Sequence, residues 1–293
     1  MQLGMSTSGY AQDCSITECM RRIKSAGYDS VDFDFYDYSS PDGPMMQSDW
    51  MLWIEGVRRV VFDSGLIVGQ THAQLGLFAK PNLEYEPPAE IFYRNIKACA
   101  MLGCSEIVFH PVFYSDVVET EELHEKLMDY NVRWFRDLAE SAKASGVYID
   151  IENTCDGRLQ KLHAPFTRAS DMMNLIERIG DESFGICLDT GHAHIMSQDI
   201  PNMIRVFGSR LRTLHLNDNL GKITPVHPDQ HFFPGTGTIN FNDVFRALKE
   251  INFHGIINLE PGDFLIRLPV LVRDAVITGG ALTAKAYMKD AKL

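Results

Sequence analysis

The stretch GICLDTGHAH, residues 185 to 194, runs from an apolar segment directly into Asp189 and then His192, a carboxylate and an imidazole three residues apart. Similar residues recur along the chain where other apolar runs finish: His72, His110 in VFHP, Glu152 in IDIENT, His215 in LRTLHL and Glu260 in INLEPG. Taken singly, each has a plainer use as a hydrogen-bonded structural histidine, a helix N-cap or a surface charge. Their repetition at one structural phase is what points to chemistry. Carboxylates gathered in one pocket cannot all stay ionised cheaply, and a divalent cation resolves the repulsion. Glu152, Asp189, His215 and Glu260 would supply three oxygens and one nitrogen. Such a set suits one divalent metal, with Mn²⁺ placed first and Co²⁺, Mg²⁺ or Zn²⁺ as alternatives, and is too hard for copper(I).

Something must bring these residues together. Short β-branched, apolar runs alternate with longer amphipathic stretches, the pattern of parallel strands that return through helices. Strands are expected at 2–5, 30–35, 66–71, 106–111, 147–152, 184–189, 211–216 and 255–260. Helical stretches ending in glycine, such as WIEGVRRVVFDSGL, WFRDLAESAKASGV and MMNLIERIGD, precede many of them. No linker, low-complexity tract or charge block interrupts the series. The fold class expected is therefore α/β, a single-domain (β/α)8 TIM barrel over residues 1–293. An open doubly wound sheet is disfavoured because no dinucleotide glycine fingerprint follows the first strand. In a barrel, every strand end named above opens on one mouth.

Composition narrows the partners. With 45% hydrophobic residues among 293, the chain can bury a large core, and its net charge of −12 gives no general attraction to nucleic acid or an anionic membrane. The expected partner is a small molecule, with no nucleic acid and no membrane. Six cysteines without a Cys-x-x-Cys pair fit a reducing compartment rather than a disulfide framework. The segment MQLGMSTSGY lacks the basic and apolar regions of a leader, and no apolar run approaches the ~18 residues of a span, so a cytoplasmic setting is expected.

A second motif, HPDQHFFPGTGTINF at 227 to 241, places Asp229 and His231 ahead of a Pro234, Gly235, Gly237 turn and the helix NDVFRALKEI. Its Gly-Thr-Gly is weak as a phosphate loop, having no lysine, and reads better as a structural turn beneath Asp229 and His231.

IENT, LDTGHAH, HLNDN, DQHFFPGTGTINF and INLEPG, in this order and at these strand ends, resemble the xylose isomerase-like TIM-barrel superfamily. It contains sugar epimerases, inosose-type isomerases and dehydratases, and apurinic endonucleases. The resemblance implies metal ligands at Glu152, Asp189, His215 and Glu260 and a substrate contact at His192. A homo-oligomer is expected. Ketose 3-epimerases of the family carry an arginine two residues beyond the metal-binding histidine, where this chain has Asn217; the usual sugar specificity does not carry over there. The endonuclease branch binds further metals through residues resembling His72, His110, His192, Asp229 and His231, several of which single-metal members also keep.

The function expected from this resemblance is a metal-dependent isomerase or epimerase of a keto-sugar or keto-polyol. Proton transfer through a metal-bound enediolate would be catalysed by Glu152 and Glu260, with His72, His110, His192, Asn217 and His231 binding substrate. A lyase or dehydratase working by β-elimination shares that enolate and is the runner-up. Phosphodiester cleavage ranks below both, because the mouth loops YDYSSPDGPMMQSDWMLW and AQLGLFAKPNLEYEPP are acidic and aromatic rather than basic. Tyr36, Tyr38, Trp50 and Phe78 in these loops could line a sugar or serve as packing.

Overall fold

A computed structural model describes residues 1–10, 13–80, 83–113, 120–155, 165–221 and 229–293 of the chain. Eight parallel strands form one sheet: β1 (Leu3–Ser6), β2 (Ser30–Asp34), β3 (Ile67–His72), β4 (Glu106–Phe109), β5 (Tyr148–Glu152), β6 (Phe184–Asp189), β7 (Leu211–His215) and β8 (Ile257–Leu259). Their order is β7-β6-β5-β4-β3-β2-β1-β8. Closure comes just beyond β7, where Leu216 N donates to Asn258 O at 2.9 Å and Glu260 N to Leu216 O at 3.2 Å. The chain is a closed (β/α)8 barrel, and every expected strand is present within two residues at each end.

The helices are α1 (Ile16–Ser25), α2 (Trp50–Ser64), α3 (Glu90–Met101), α4 (Glu121–Ser145), α5 (Ala169–Ile179), α6 (Thr190–Ile195), α7 (Ile200–Phe207), α8 (Phe241–Glu250), α9 (Gly262–Ile266) and α10 (Val270–Ala291). Gly65, Gly146 and Gly180 cap α2, α4 and α5 at φ of 73°, 66° and 69°, a left-handed conformation that glycine adopts without a Cβ penalty. Phe109 of β4 and Phe184 of β6, with Phe135 of α4, pack between sheet and helices with no exposed surface. The interior differs from an apolar barrel filling: Asp32, Gln70, Asp150, Thr213, His215 and Asn258 are all buried inward-lying polar residues.

Two expected elements shift. β4 stops at Phe109 rather than 111, because Pro111 removes a ladder donor and restrains His110 ahead of it. His110 therefore sits on the loop, just above the strand end. α4 begins at Glu121, with the Thr120 hydroxyl accepting from Leu123 N at 3.2 Å, well before the WFRDLAESAKASGV stretch.

Candidate active site

The residues at the strand ends converge. One ligand atom from each of Glu152, Asp189, His215 and Glu260 lies within 4.8 Å of the others, and all four residues are buried. Glu152 ends β5 and is the most crowded. Its Oε2 lies 3.2 Å from His72 Nε2, 3.1 Å from His110 Nε2 and 3.1 Å from His215 Nδ1, while Oε1 lies 3.4 Å from His192 Nδ1. Burial by itself raises a carboxyl pKa; here the surrounding imidazoles outweigh it and hold Glu152 well below the usual range.

Asp189 ends β6 and also starts α6: Oδ1 accepts from His192 N at 2.6 Å, an N-cap bond, and Oδ2 accepts from Asn217 Nδ2 at 2.6 Å. Burial, reinforced by the charges of Glu260 and Glu152, pushes its carboxyl up to about 7. Glu260 follows β8. Burial would raise it too, but His215 and His231 hold it down at about 2. His215 ends β7 with Nε2 3.0 Å from Asp32 Oδ2 and Nδ1 3.5 Å from Glu260 Oε1.

A second cluster lies beside the first. Asp229 Oδ2 receives His192 Nε2 at 3.0 Å and His231 Nε2 at 2.7 Å. The opposite nitrogens are also engaged, His192 Nδ1 with Asn153 O at 3.0 Å and His231 Nδ1 with Glu260 O at 2.9 Å. Burial acts to lower both imidazoles, yet the facing carboxylates raise them well above their ordinary value. Ligand atoms of Cys155, His192 and Asp229, of Asp189, His192 and His231, and of His72, Glu152 and His215 also meet within 4.8 Å.

The four-residue set fits a cation on two grounds. Among the described residues, His215 Nδ1 and Glu260 Oε2 are buried and have no hydrogen-bond partner, which a native structure rarely leaves unexplained. Three carboxylates and one imidazole are also the donors a hard or borderline divalent ion takes.

Asn217 stands apart from the other residues expected to touch substrate. It is fully buried, with its amide on Asp189 and its backbone N donating to Thr190 Oγ1 at 3.1 Å. The Gly-Thr-Gly segment is the expected turn, because Asp218 takes the amides of Gly235 and Gly237 on Oδ2, at 3.0 and 2.7 Å, and those of Ile239 and Asn219 on Oδ1, at 3.0 and 2.9 Å. Residues 227 and 228 of that motif lie outside the described residues. Of the four loop aromatics, Tyr36 stands edge-on to His72 with centroids 5.3 Å apart, and half-exposed Phe78 packs on Phe113 beside His110. Tyr38 instead stacks on Phe33, and Trp50 is buried beneath Arg94 and Lys97. These two are packing.

Four residues near the site escaped the sequence reading: Asp32, Asp34, Asp218 and Cys155. Asp34 ends β2, accepts from Ser6 Oγ, Thr7 Oγ1 and Ser8 N on Oδ2, and is pushed by burial up to about 8. The visible signal was SVDFDF, two aspartates on one face of an otherwise apolar strand.

A closed parallel barrel with its ligand-type side chains at the strand C-terminal ends defines a class of proteins, and the chain belongs to it: the xylose isomerase-like TIM barrel family model matches residues 20–271. Among curated relatives, an inosose isomerase of Bacillus velezensis is 26% identical over 207 residues, covering 68% of this chain and 70% of that protein. A D-psicose 3-epimerase of Enterocloster bolteae is 26% identical over 132 residues, 44% of this chain and 38% of that one. Among solved structures, a D-tagatose 3-epimerase-like protein superposes with a TM-score of 0.75 at 20% identity, over 100% of this chain and 98% of its own. The apo form of an E. coli 3-keto-D-glucoside 4-epimerase gives 0.70 at 17% identity, over 96% and 99%.

Proposed function

We propose that the protein is a metal-dependent isomerase or epimerase of a keto-sugar or keto-polyol, and that Glu152, Asp189, His215 and Glu260 hold one divalent cation, Mn²⁺ first among the candidates. The observation that carries this reading is the buried convergence of those four side chains with His215 Nδ1 and Glu260 Oε2 left without hydrogen bonds. The relatives named above, isomerases and epimerases of sugars or inososes, support the same chemistry; the eliminating alternative gains no support from them. The cation, when bound, supplies Lewis acidity that makes a C–H beside a carbonyl removable.

Glu152 and Glu260, brought to the site from β5 and β8, are the carboxylates assigned to remove and return that proton. His72 and His110 bear on Glu152 Oε2 and fix its direction. His192 and His231 both meet Asp229 Oδ2 and orient its carboxylate, whose buried Oδ1, unpartnered among the described residues, is an acceptor to which a sugar hydroxyl can donate. Asn217 keeps Asp189 in place. Tyr36 and Phe78 offer apolar surface for a sugar face. Six unpaired cysteines support a reducing cytoplasm, and exposed Leu271 and Leu282 on α10 support a homo-oligomer. No described helix is long and apolar enough to cross a membrane.

The test is solvent exchange. Metal-loaded enzyme in D₂O is given an inosose, D-psicose and a 3-keto-D-glucoside, and deuterium on carbon is read by NMR. Exchange that requires the metal and vanishes in Glu152→Gln and Glu260→Gln is expected. Exchange that persists in both variants overturns the carboxylate assignment, and cleavage of an abasic DNA duplex without any sugar exchange overturns the isomerase reading.

A further inference from the structure

We infer that Asp32 fixes the tautomer and direction of His215, and thereby sets how tightly the site holds its cation; the inference rests on reading Glu152, Asp189, His215 and Glu260 as a metal site. Asp32 lies on β2 with no exposed surface. Its carboxylate spans the barrel interior and gathers three donors on one oxygen: Oδ2 receives Gln70 Nε2 from β3 at 2.8 Å, His215 Nε2 from β7 at 3.0 Å and Asn258 Nδ2 from β8 at 3.1 Å. Gln70 Nε2 also reaches Leu214 O at 3.3 Å, tying the group to the strand that carries His215. A carboxylate in a barrel interior is costly unless something needs it there.

The pattern of donors decides the proton's place. An oxygen that already receives two side-chain amide N–H groups is an acceptor toward the third nitrogen as well, so the hydrogen lies on His215 Nε2. Nδ1 is then the nitrogen that gives up its proton and offers its lone pair when a cation binds. It is Nδ1 that stands 3.1 Å from Glu152 Oε2 and 3.5 Å from Glu260 Oε1 and lacks a hydrogen-bond partner. Asp32 thus does for His215 what a carboxylate behind a ligand imidazole does in metal sites generally: it selects the tautomer and stops the ring rotating. Gln70 and Asn258 hold Asp32, and among the described residues neither has a hydrogen bond to the ring.

Two measurements test this. Calorimetric titration of metal-free protein with Mn²⁺ should show Asp32→Ala binding roughly 10- to 100-fold more weakly than wild type. Asp32→Asn, which keeps an oxygen acceptor, should recover part of the loss. Gln70→Leu and Asn258→Leu, which remove neighbours of Asp32 but leave the Asp32–His215 pair, should bind within about threefold of wild type; a packing role would make these two as damaging as Asp32→Ala. The second measurement needs no Asp32 variant: long-range ¹H–¹⁵N spectra of Zn²⁺-loaded, histidine-labelled wild type, with His215 assigned by its loss in His215→Gln. Protonated Nε2 and ligated Nδ1 are expected. A ring protonated on Nδ1, or a folded Asp32→Ala that binds Mn²⁺ as tightly as wild type, overturns the inference while leaving the metal site standing. Wild type that takes up no Mn²⁺, Co²⁺ or Zn²⁺ overturns both.

Discussion

Replacing Asp218 by asparagine should loosen the loop that carries Asp229 and His231. Asp218 is fully buried, and its two oxygens accept four backbone amides, two of them from the Gly235–Gly237 turn. Asparagine retains one oxygen and turns an NH₂ toward the other two amides, so two charge-assisted bonds are lost. At about 1.5–3 kcal/mol for each bond to a charged group, the ceiling is roughly 3–6 kcal/mol. Gly235 is exposed and Gly237 partly so, and water can satisfy some of what is lost, which brings the expected cost to about 2–4 kcal/mol. At ~2–4 °C per kcal/mol, the scale for large single domains, the melting temperature should fall by roughly 4–16 °C. Thermal unfolding by circular dichroism measures this, and hydrogen exchange at Gly235, Gly237 and Ile239 locates it. Metal content should hold while KM rises, because His231 moves and Asp189 does not. A melting temperature within ~2 °C of wild type, with unchanged protection at those amides, would refute the reasoning.

Two other outcomes follow from the site. Burial acts to lower His215, and the surrounding negative groups, Glu260 and Glu152 among them, raise it well above its ordinary value; a cation must displace that proton, so the thermal stabilisation produced by added Mn²⁺ should shrink as pH falls from about 8 to about 6. A constant increment over that range would mean that no proton is released. Gly191→Ala would place a Cβ 1.8 Å from Asn217 Oδ1, displacing the amide that holds Asp189 Oδ2; elemental analysis should find less bound metal, and full occupancy would show that Asn217 does not position Asp189.

The barrel and the four-residue set were legible for one physical reason. Strands covered on both faces read as apolar runs, so a charged residue at the end of such a run stands out, as Asp189 does after FGICL. What lay hidden depends on distance across the barrel. Asp32 sits within SVDFDF and was absorbed into a strand assignment, since nothing local says that it faces His215, 183 residues away. The offset of Asn217 from His215 suggests a substrate contact, and nothing local in the sequence shows that its amide donates to Asp189 Oδ2, 28 residues away. α10 was not anticipated because Gly279 and Gly280 break a helical pattern. The fold favours the gap: a Cβ at Gly280 would lie 2.1 Å from Phe233 Cδ1, so the missing side chain lets that ring pack on the helix.

The charge arrangement explains how so many carboxylates can gather at one mouth without a cation. Glu152, Asp189, Glu260 and Asp229 would repel one another across the mouth, but His72, His192, His215 and His231 have ring nitrogens facing their oxygens. Protons on those rings supply positive charge where a metal would, and the raised values of His192, His215 and His231 express it; burial pulls each of them down, and the carboxylates prevail. For groups whose folded values are raised, this contribution to stability is complete below the ordinary histidine range and is lost as pH rises through the raised values. The lowered values of Glu152 and Glu260 work in the other direction, with stability present above the ordinary carboxylate range and lost as pH falls through the depressed values. The metal-free mouth is therefore held together between those limits. At its alkaline edge the imidazoles give up their protons, and there a divalent cation has the most repulsion to relieve and the fewest protons to displace.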